Sequence, residues 1–249
     1  MISSPYYINN SNRVADNTGN LMRLDRFLCE STGLTRSVAK KALHRGDVTV
    51  DGLVVKKSDQ QINGQEVRLE GRLLVAPGPR YLLLHKPAGY ISSTQDEDHP
   101  CVLQLLPPEL RRGLQCAGRL DVDTTGLLLL TDDGQWSHRL RSPKKACNKV
   151  YQVDLSDPLA SDVTQRFAEG VELHGEDKAT LPATLEVLTP TRVLLTIQEG
   201  KYHQVKRMFA AVGNHVMGLH RLQIGDIVLD DSLAPGEWRH LTAEEIASI

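Results

Sequence analysis

The sequence predicts an α+β protein: a large domain on a mainly antiparallel mixed sheet, preceded by a small α/β unit. Three observations carry that expectation. Leucine-rich and β-branched runs recur from residue 81 onward without regular strand–helix–strand alternation, so the strands must pair locally. Helical apolar spacing dominates a short N-terminal stretch instead. Between the two lies APGPR, Ala76 to Arg80, whose Pro-Gly-Pro reads as a linker.

At 249 residues the chain has room for two modest domains with real cores. Its start, MISSPYYINNSNRVADNTGN, is rich in Asn and Ser, lacks a basic-then-apolar order, and is expected to be a disordered extension over 1–20. Next comes a unit over 21–75. LDRFLCES puts Leu24, Phe27 and Leu28 on one helical face. A second helix follows, with Thr35 as cap, Ala39, Ala42 and Leu43 as its apolar stripe, and Gly46 as its stop. VTVDGLVVK, with two β-branched runs around Asp51-Gly52, predicts a hairpin. After the 76–80 linker, the domain 81–249 shows strands at YLLLHKPAG, GLLLLTDDG, KVYQVDL, the pair ATLEVLTPTRVLLTI, and HVMGLHRLQIGDIVL. Asp132-Asp133-Gly134 is expected to be the hairpin turn that ends the leucine strand. HQVKRMFAAVG predicts a helix with Val205, Met208, Phe209 and Val212 inward and Gly213 closing it. TAEEIASI predicts a last helix with Thr242 and Glu245 at capping-box spacing.

Composition narrows the function. Aromatic residues make up 4%, too few for a platform of many stacked rings. Cys29, Cys101, Cys116 and Cys147 are scattered, which argues against structural zinc and a disulfide framework and favours a reducing cytoplasm. No apolar run approaches the roughly 20 residues of a membrane span. The formal net charge of −2 means that any polyanion must be met by locally arranged cations. One such arrangement is the second helix, where Arg36, Lys40, Lys41 and Arg45 form like-charged i,i+4 pairs with no acidic residue between them. This is either a solvated face or a ridge that contacts phosphates, and the missing carboxylates favour the ridge.

The densest chemistry lies in GRLDVDTTGLLLLTDDG, Gly118 to Gly134, where Arg119, Asp121 and Asp123 immediately precede the most apolar run. Asp121 therefore sits on a loop anchored to a rigid strand. There it can serve as a general base, a nucleophile, a metal ligand or a turn-former. Two further segments supply partners. Tyr151 opens the strand KVYQVDL, and His203, Lys206 and Arg207 lie off the apolar stripe of their helix, free to face a cleft. Burying Lys206 without a partner would be very costly.

HKPAGY, GRLDVDTTGLLLLTDDG, the Lys149–Tyr151 segment and EGKYHQVKRM, in that order, resemble the successive motifs of the pseudouridine synthases. More narrowly they resemble the branch that acts on small-subunit ribosomal RNA. LDRFLCESTGLTRSVAKKALHRGDVTVDG resembles the small S4-type RNA-binding domain. The resemblance covers nearly everything from residue 22 onward. It implies isomerisation of a uridine to pseudouridine with Asp121 as the nucleophilic carboxylate, Lys206 as its basic partner and Tyr151 as the active-site tyrosine. Many relatives carry arginine at the position of Lys206, which leaves open whether Arg207 shares the role. Arg119 is expected to enter the RNA stack in place of the flipped nucleotide. Lys86, His203 and Gln204 are expected to contact phosphate or base. Neither a metal nor an organic cofactor is implied. The expected partner is small-subunit ribosomal RNA or an assembly intermediate, bound by a monomer. Three rivals remain: a magnesium-dependent phosphohydrolase using Asp121 and Asp123, a non-catalytic RNA-binding factor, and a synthase with a large-subunit target.

Overall fold

The computed structural model describes residues 22–74, 78–93, 99–142 and 147–249. The expected extension 1–20 and residues 76 and 77 of the expected linker lie outside the described residues. The chain divides into two compact units, Met1–Gly78 and Pro79–Ile249.

In the first unit, β1 (Met22–Arg23) leads into α1 (Leu24–Thr32). That helix buries Leu24, Phe27 and Leu28 and stops at Gly33, whose φ of 74° suits a residue without Cβ. In α2 (Arg36–Arg45), Thr35 caps the N-terminus by accepting from the Val38 amide at 3.4 Å. Ala39, Ala42 and Leu43 face the core. The hairpin of β2 (Val48–Val50) and β3 (Leu53–Val54) turns at Asp51 and Gly52, both at positive φ, as a two-residue primed turn requires. Four strands were not expected: β1 and its partner β4 (Gln61–Ile62), and β5 (Val67–Leu69) and β6 (Arg72–Leu74), which extend the hairpin into a sheet of order β3-β2-β5-β6.

The second unit is built on a nine-stranded sheet, mixed and mainly antiparallel. Its strands are β7 (Tyr81–Lys86), β8 (Gln115–Cys116), β9 (Thr125–Thr131), β10 (Lys149–Leu155), β11 (Thr184–Thr189), β12 (Arg192–Ile197), β13 (Val216–Ile224), β14 (Ile227–Val228) and β15 (Trp238–His240). The main path runs β11-β12-β10-β13-β9-β7-β15, with β14 beside β13 and β8 beside β9. Every pair is antiparallel except β13 with β9, which meet in parallel at His220–Thr125 and Arg221–Gly126. That short seam joins two antiparallel halves. Leu127, Leu128, Leu129 and Leu130 are all fully buried, so the leucine strand is covered on both faces. Leu128 and Leu130 join one core with Phe167, Met208 and Phe209, while Leu127 and Leu129 join another with Trp136 and Leu140.

A 3-10 turn at Val102–Leu105 and the one-turn α3 (Pro108–Arg111) precede β8. The expected hairpin turn at Asp132-Asp133-Gly134 is instead the start of a helix, α4 (Gly134–Arg141). Asp133 caps it by accepting from the Gln135 and Trp136 amides, and Asp132 binds the Arg80 guanidinium at 2.8 Å. Short polar side chains serve turns and helix starts alike, and here the buried pair Trp136 and Leu140 decides for the helix. After β10 comes α5 (Val163–Glu169), and α6 (Gln204–Ala211) buries Val205, Met208 and Phe209 as the spacing predicts. In α7 (Ala243–Ala247) the Thr242–Glu245 capping box is formed. Among the described residues no helix is long and apolar enough to cross a membrane.

Candidate active site

Three strands bring the candidate residues together. In β10, Tyr151 pairs across the sheet with Arg221 of β13, and Arg221 in turn pairs with Gly126 of β9. A Cβ on Gly126 would lie inside van der Waals contact of the Arg221 carbonyl oxygen and 2.7 Å from its backbone nitrogen. With φ at 102°, only glycine permits this approach without strain. The loop carrying Asp121 therefore leaves β9 where the two half-sheets touch.

That loop is tied down from the segment after β7. Ser92 donates to the Leu120 carbonyl at 3.0 Å and accepts from the Leu120 amide at 3.1 Å. The Gly89 amide donates to the Val122 carbonyl at 2.8 Å. Lys86 is fully buried and donates to the carbonyls of Pro87, Val122 and Thr124 at 3.1, 3.2 and 2.7 Å. Burial lowers its pKa to about 8, against the opposing pull of Asp123 and Asp121. The expectation that Lys86 contacts RNA is thus corrected. Its ammonium is engaged by the turn beneath Asp121, where it donates to three backbone carbonyls.

Asp121 is partly exposed and faces two cationic candidates from the start of α6. Lys206 Nζ lies 3.4 Å from Asp121 Oδ2, and His203 Nε2 lies 3.4 Å from Asp121 Oδ1. The tighter partner of Lys206 is Asp123, at 2.6 and 2.9 Å. Burial works against the Lys206 ammonium, but its bond to Asp123 and the charges of both carboxylates outweigh that and hold its pKa above the ordinary lysine value. Asp123 is held below the usual carboxylate range: burial opposes this, and the Lys206 bond and charge prevail. Asp123, which in the sequence reads only as a metal ligand, is in the fold the nearer counter-ion of Lys206. Among the described residues no cluster of three or more His, Cys, Asp or Glu could hold a metal ion.

Tyr151 is nearly buried and reaches the loop through Arg221, a residue that the sequence reading did not single out. Arg221 Nε donates to the Leu127 carbonyl at 2.8 Å, and Nη1 lies 3.4 Å from both the Arg119 carbonyl and the Tyr151 hydroxyl. Its guanidinium carbon stands 5.9 Å from the Tyr151 ring centroid, within cation–π range. Arg221 is 2% exposed, and its Nη2 has no hydrogen-bond partner. The alternation LHRLQ disguised it as a surface residue. The signal that could have found it is the lack of a glutamate or aspartate within four residues on its own strand.

The other candidates separate. Arg119 has an exposed side chain beside Asp121. Gln204 is buried and braces its own loop, accepting from the Lys201 amide and donating to Glu199, both at 2.8 Å. Arg207 binds Glu176 at 2.9 Å and the carbonyls of Tyr202 and His174 at 2.9 and 2.6 Å. Neither is paired with Asp121, and both help to shape the loop before α6. Gln204, expected to contact base or phosphate, is instead buried in its own loop, and the question left open for Arg207 meets a side chain paired with Glu176. In the first unit, Arg36, Lys40, Lys41 and Arg45 are all exposed on α2. Asp47, just past the helix, pairs with Arg45 at 2.7 Å, so one of the four cations has the carboxylate partner that its own helix lacks.

A family model described as RNA pseudouridylate synthase matches residues 80–211. A Yersinia pestis protein named ribosomal small subunit pseudouridine synthase A is 55% identical over 230 residues, 92% of this chain and 98% of that protein. Its namesake from Escherichia coli K12 is 54% identical over 92% of this chain and 100% of its own length. A solved structure described as a pseudouridylate synthase is 51% identical, covers 91% of this chain and 99% of its own, and superposes with a TM-score of 0.67.

Proposed function

Because the chain belongs to the RNA pseudouridylate synthase family, we propose that it isomerises one uridine of small-subunit ribosomal RNA, with Asp121 as the reacting carboxylate. The observation that carries this reading is the pairing of Asp121 with Lys206 on a loop braced at three points by residues 86–92. The target nucleotide must leave its stack at a cost of a few kcal/mol, and Arg119, exposed two residues before Asp121, fills the gap in this reading by stacking or holding phosphate.

In the reaction the N1–C1′ glycosidic bond breaks, uracil turns, and a C5–C1′ bond replaces it, with loss of the C5 proton and protonation of the freed N1. The carboxylate of Asp121 either attacks C1′ or assists departure of the base. Lys206 sets a positive charge 3.4 Å from that carboxylate in a partly closed site. Tyr151 offers a ring face to the uracil, and its hydroxyl can take part in proton transfer. Arg221 holds that hydroxyl, and the free Nη2 is a buried donor that a bound base can satisfy. The first unit acts as an S4-type RNA-binding domain whose exposed Arg36, Lys40 and Lys41 meet phosphates. RNA affinity therefore falls as salt rises.

The test incubates purified protein with small-subunit ribosomal RNA and maps pseudouridine by chemical modification and primer extension, with and without excess EDTA. One modified uridine that still forms in EDTA supports the reading. Modification of large-subunit RNA alone, or none at all, overturns it, and loss in EDTA favours the metal-dependent rival.

A further inference from the structure

The loop before α6 carries an aromatic feature that the reaction leaves unused. The rings of Tyr202 and His203 lie face to face, with centroids 3.8 Å apart and planes inclined by 18°. Tyr202 is 71% exposed, the most exposed large aromatic side chain among the described residues. His203 is the inner member, with Nε2 3.4 Å from Asp121 Oδ1. The stack thus runs from the candidate carboxylate to solvent, and its outermost face is a bare ring.

This stack is held firmly. His203 adopts a left-handed φ of 46°, a conformation that costs free energy in a residue with a side chain. The surroundings hold it there. Arg207 donates to the Tyr202 carbonyl, and the Gln204 side chain closes the loop by accepting from the Lys201 amide. Strain at His203, maintained by the buried Gln204 and by the Arg207 bond to Tyr202, accompanies the face-to-face stacking of the two rings. A chain seeking only stability would relax the backbone and bury the tyrosine.

We propose that Tyr202, backed by His203, is a stacking platform for a nucleobase next to the target uridine. This rests on the reading that the protein modifies RNA. Flipping one nucleotide breaks its stack on both neighbours, and the neighbouring base needs a new surface. A third aromatic layer on Tyr202 supplies one, two stacking steps beyond the His203 ring that meets the carboxylate. Stacking of this kind tolerates any base, since every base has a π-face. The contact therefore strengthens binding and register without choosing the sequence.

The experiment uses the full-length protein and a small-subunit ribosomal RNA transcript. The wild-type protein is first required to modify a mapped uridine; if it modifies none, the proposed function fails and the platform with it. Given activity, Tyr202→Leu is expected to lose roughly 10- to 100-fold in kcat/KM, mainly through KM, in the range of one base–aromatic stack. Tyr202→Phe is expected to retain the wild-type value. An RNA with an abasic residue on one side of the target should reduce wild-type activity as much, and Tyr202→Leu should then add nothing further. Exposure at Tyr202 makes misfolding of these variants no concern. Wild-type rates in Tyr202→Leu overturn the platform while leaving the function intact. Losses that simply multiply on abasic RNA at either side overturn it equally.

Discussion

Replacing Gly126 by alanine should damage the seam on which the whole site depends. Its new methyl would collide with backbone atoms of Arg221, which cannot turn aside as a side-chain tip can. Two costs add. A φ of 102° is unfavourable for a residue with Cβ, by about 1–3 kcal/mol. Overpacking against fixed backbone costs about 1–3 kcal/mol more. The sum, roughly 2–6 kcal/mol, is a large share of the 5–15 kcal/mol typical of a domain. With a urea slope of about 1–3 kcal/mol per molar, the unfolding midpoint should fall by roughly 1 M or more. The chain has two tryptophans, Trp136 and Trp238, both in the second unit, so tryptophan fluorescence follows that unit alone. Gly134→Ala is the control. It opens α4 with nothing within 4 Å of its added Cβ and should be neutral or slightly stabilising. If Gly126→Ala unfolds within about 0.5 kcal/mol of wild type, or together with the control, the argument from close approach is wrong.

Ser92→Ala leaves the Leu120 amide and carbonyl without their partner and should cost about 1–3 kcal/mol in the same urea assay, with a fall in kcat; an unchanged midpoint would contradict the bracing role. Arg221→Met keeps volume but releases Tyr151 and the Arg119 carbonyl; kcat should drop about 100-fold with little change in KM in steady-state assays, and a preserved kcat would refute it. Asp123→Asn removes one of the anions that raise the Lys206 pKa, so the ammonium gives up its proton more readily and the alkaline limb of kcat/KM should move to lower pH. A pH–rate profile whose alkaline limb stays or moves upward would sink that assignment.

Much of the architecture was legible because local signals agreed with one another. The caps at Thr35 and Thr242, the Asp51-Gly52 turn and the stripe of Val205, Met208 and Phe209 each rest on neighbours within a few residues. The pairing of Asp121 with Lys206 was reachable through the resemblance of their motifs. What escaped depends on contacts between distant segments. The parallel meeting of β9 with β13 joins residues 95 apart in the chain, and no pattern in either strand announces its partner. Arg221 reads as one more polar position of an alternating strand until its neighbours across the sheet are known. Lys86 and Gln204 look like surface residues because their buried partners are backbone carbonyls and amides, which every sequence contains. Asp133 was misread because a turn and a helix N-terminus ask for the same side chain.

The most direct measurement compares Asp121→Asn with the wild-type protein on the same small-subunit ribosomal RNA, following both RNA affinity and pseudouridine at the mapped site. The change is nearly isosteric and removes only the charge and nucleophilicity of the carboxylate. RNA binding should persist within a few-fold while pseudouridine formation disappears. Undiminished modification by Asp121→Asn would show that another group does the chemistry.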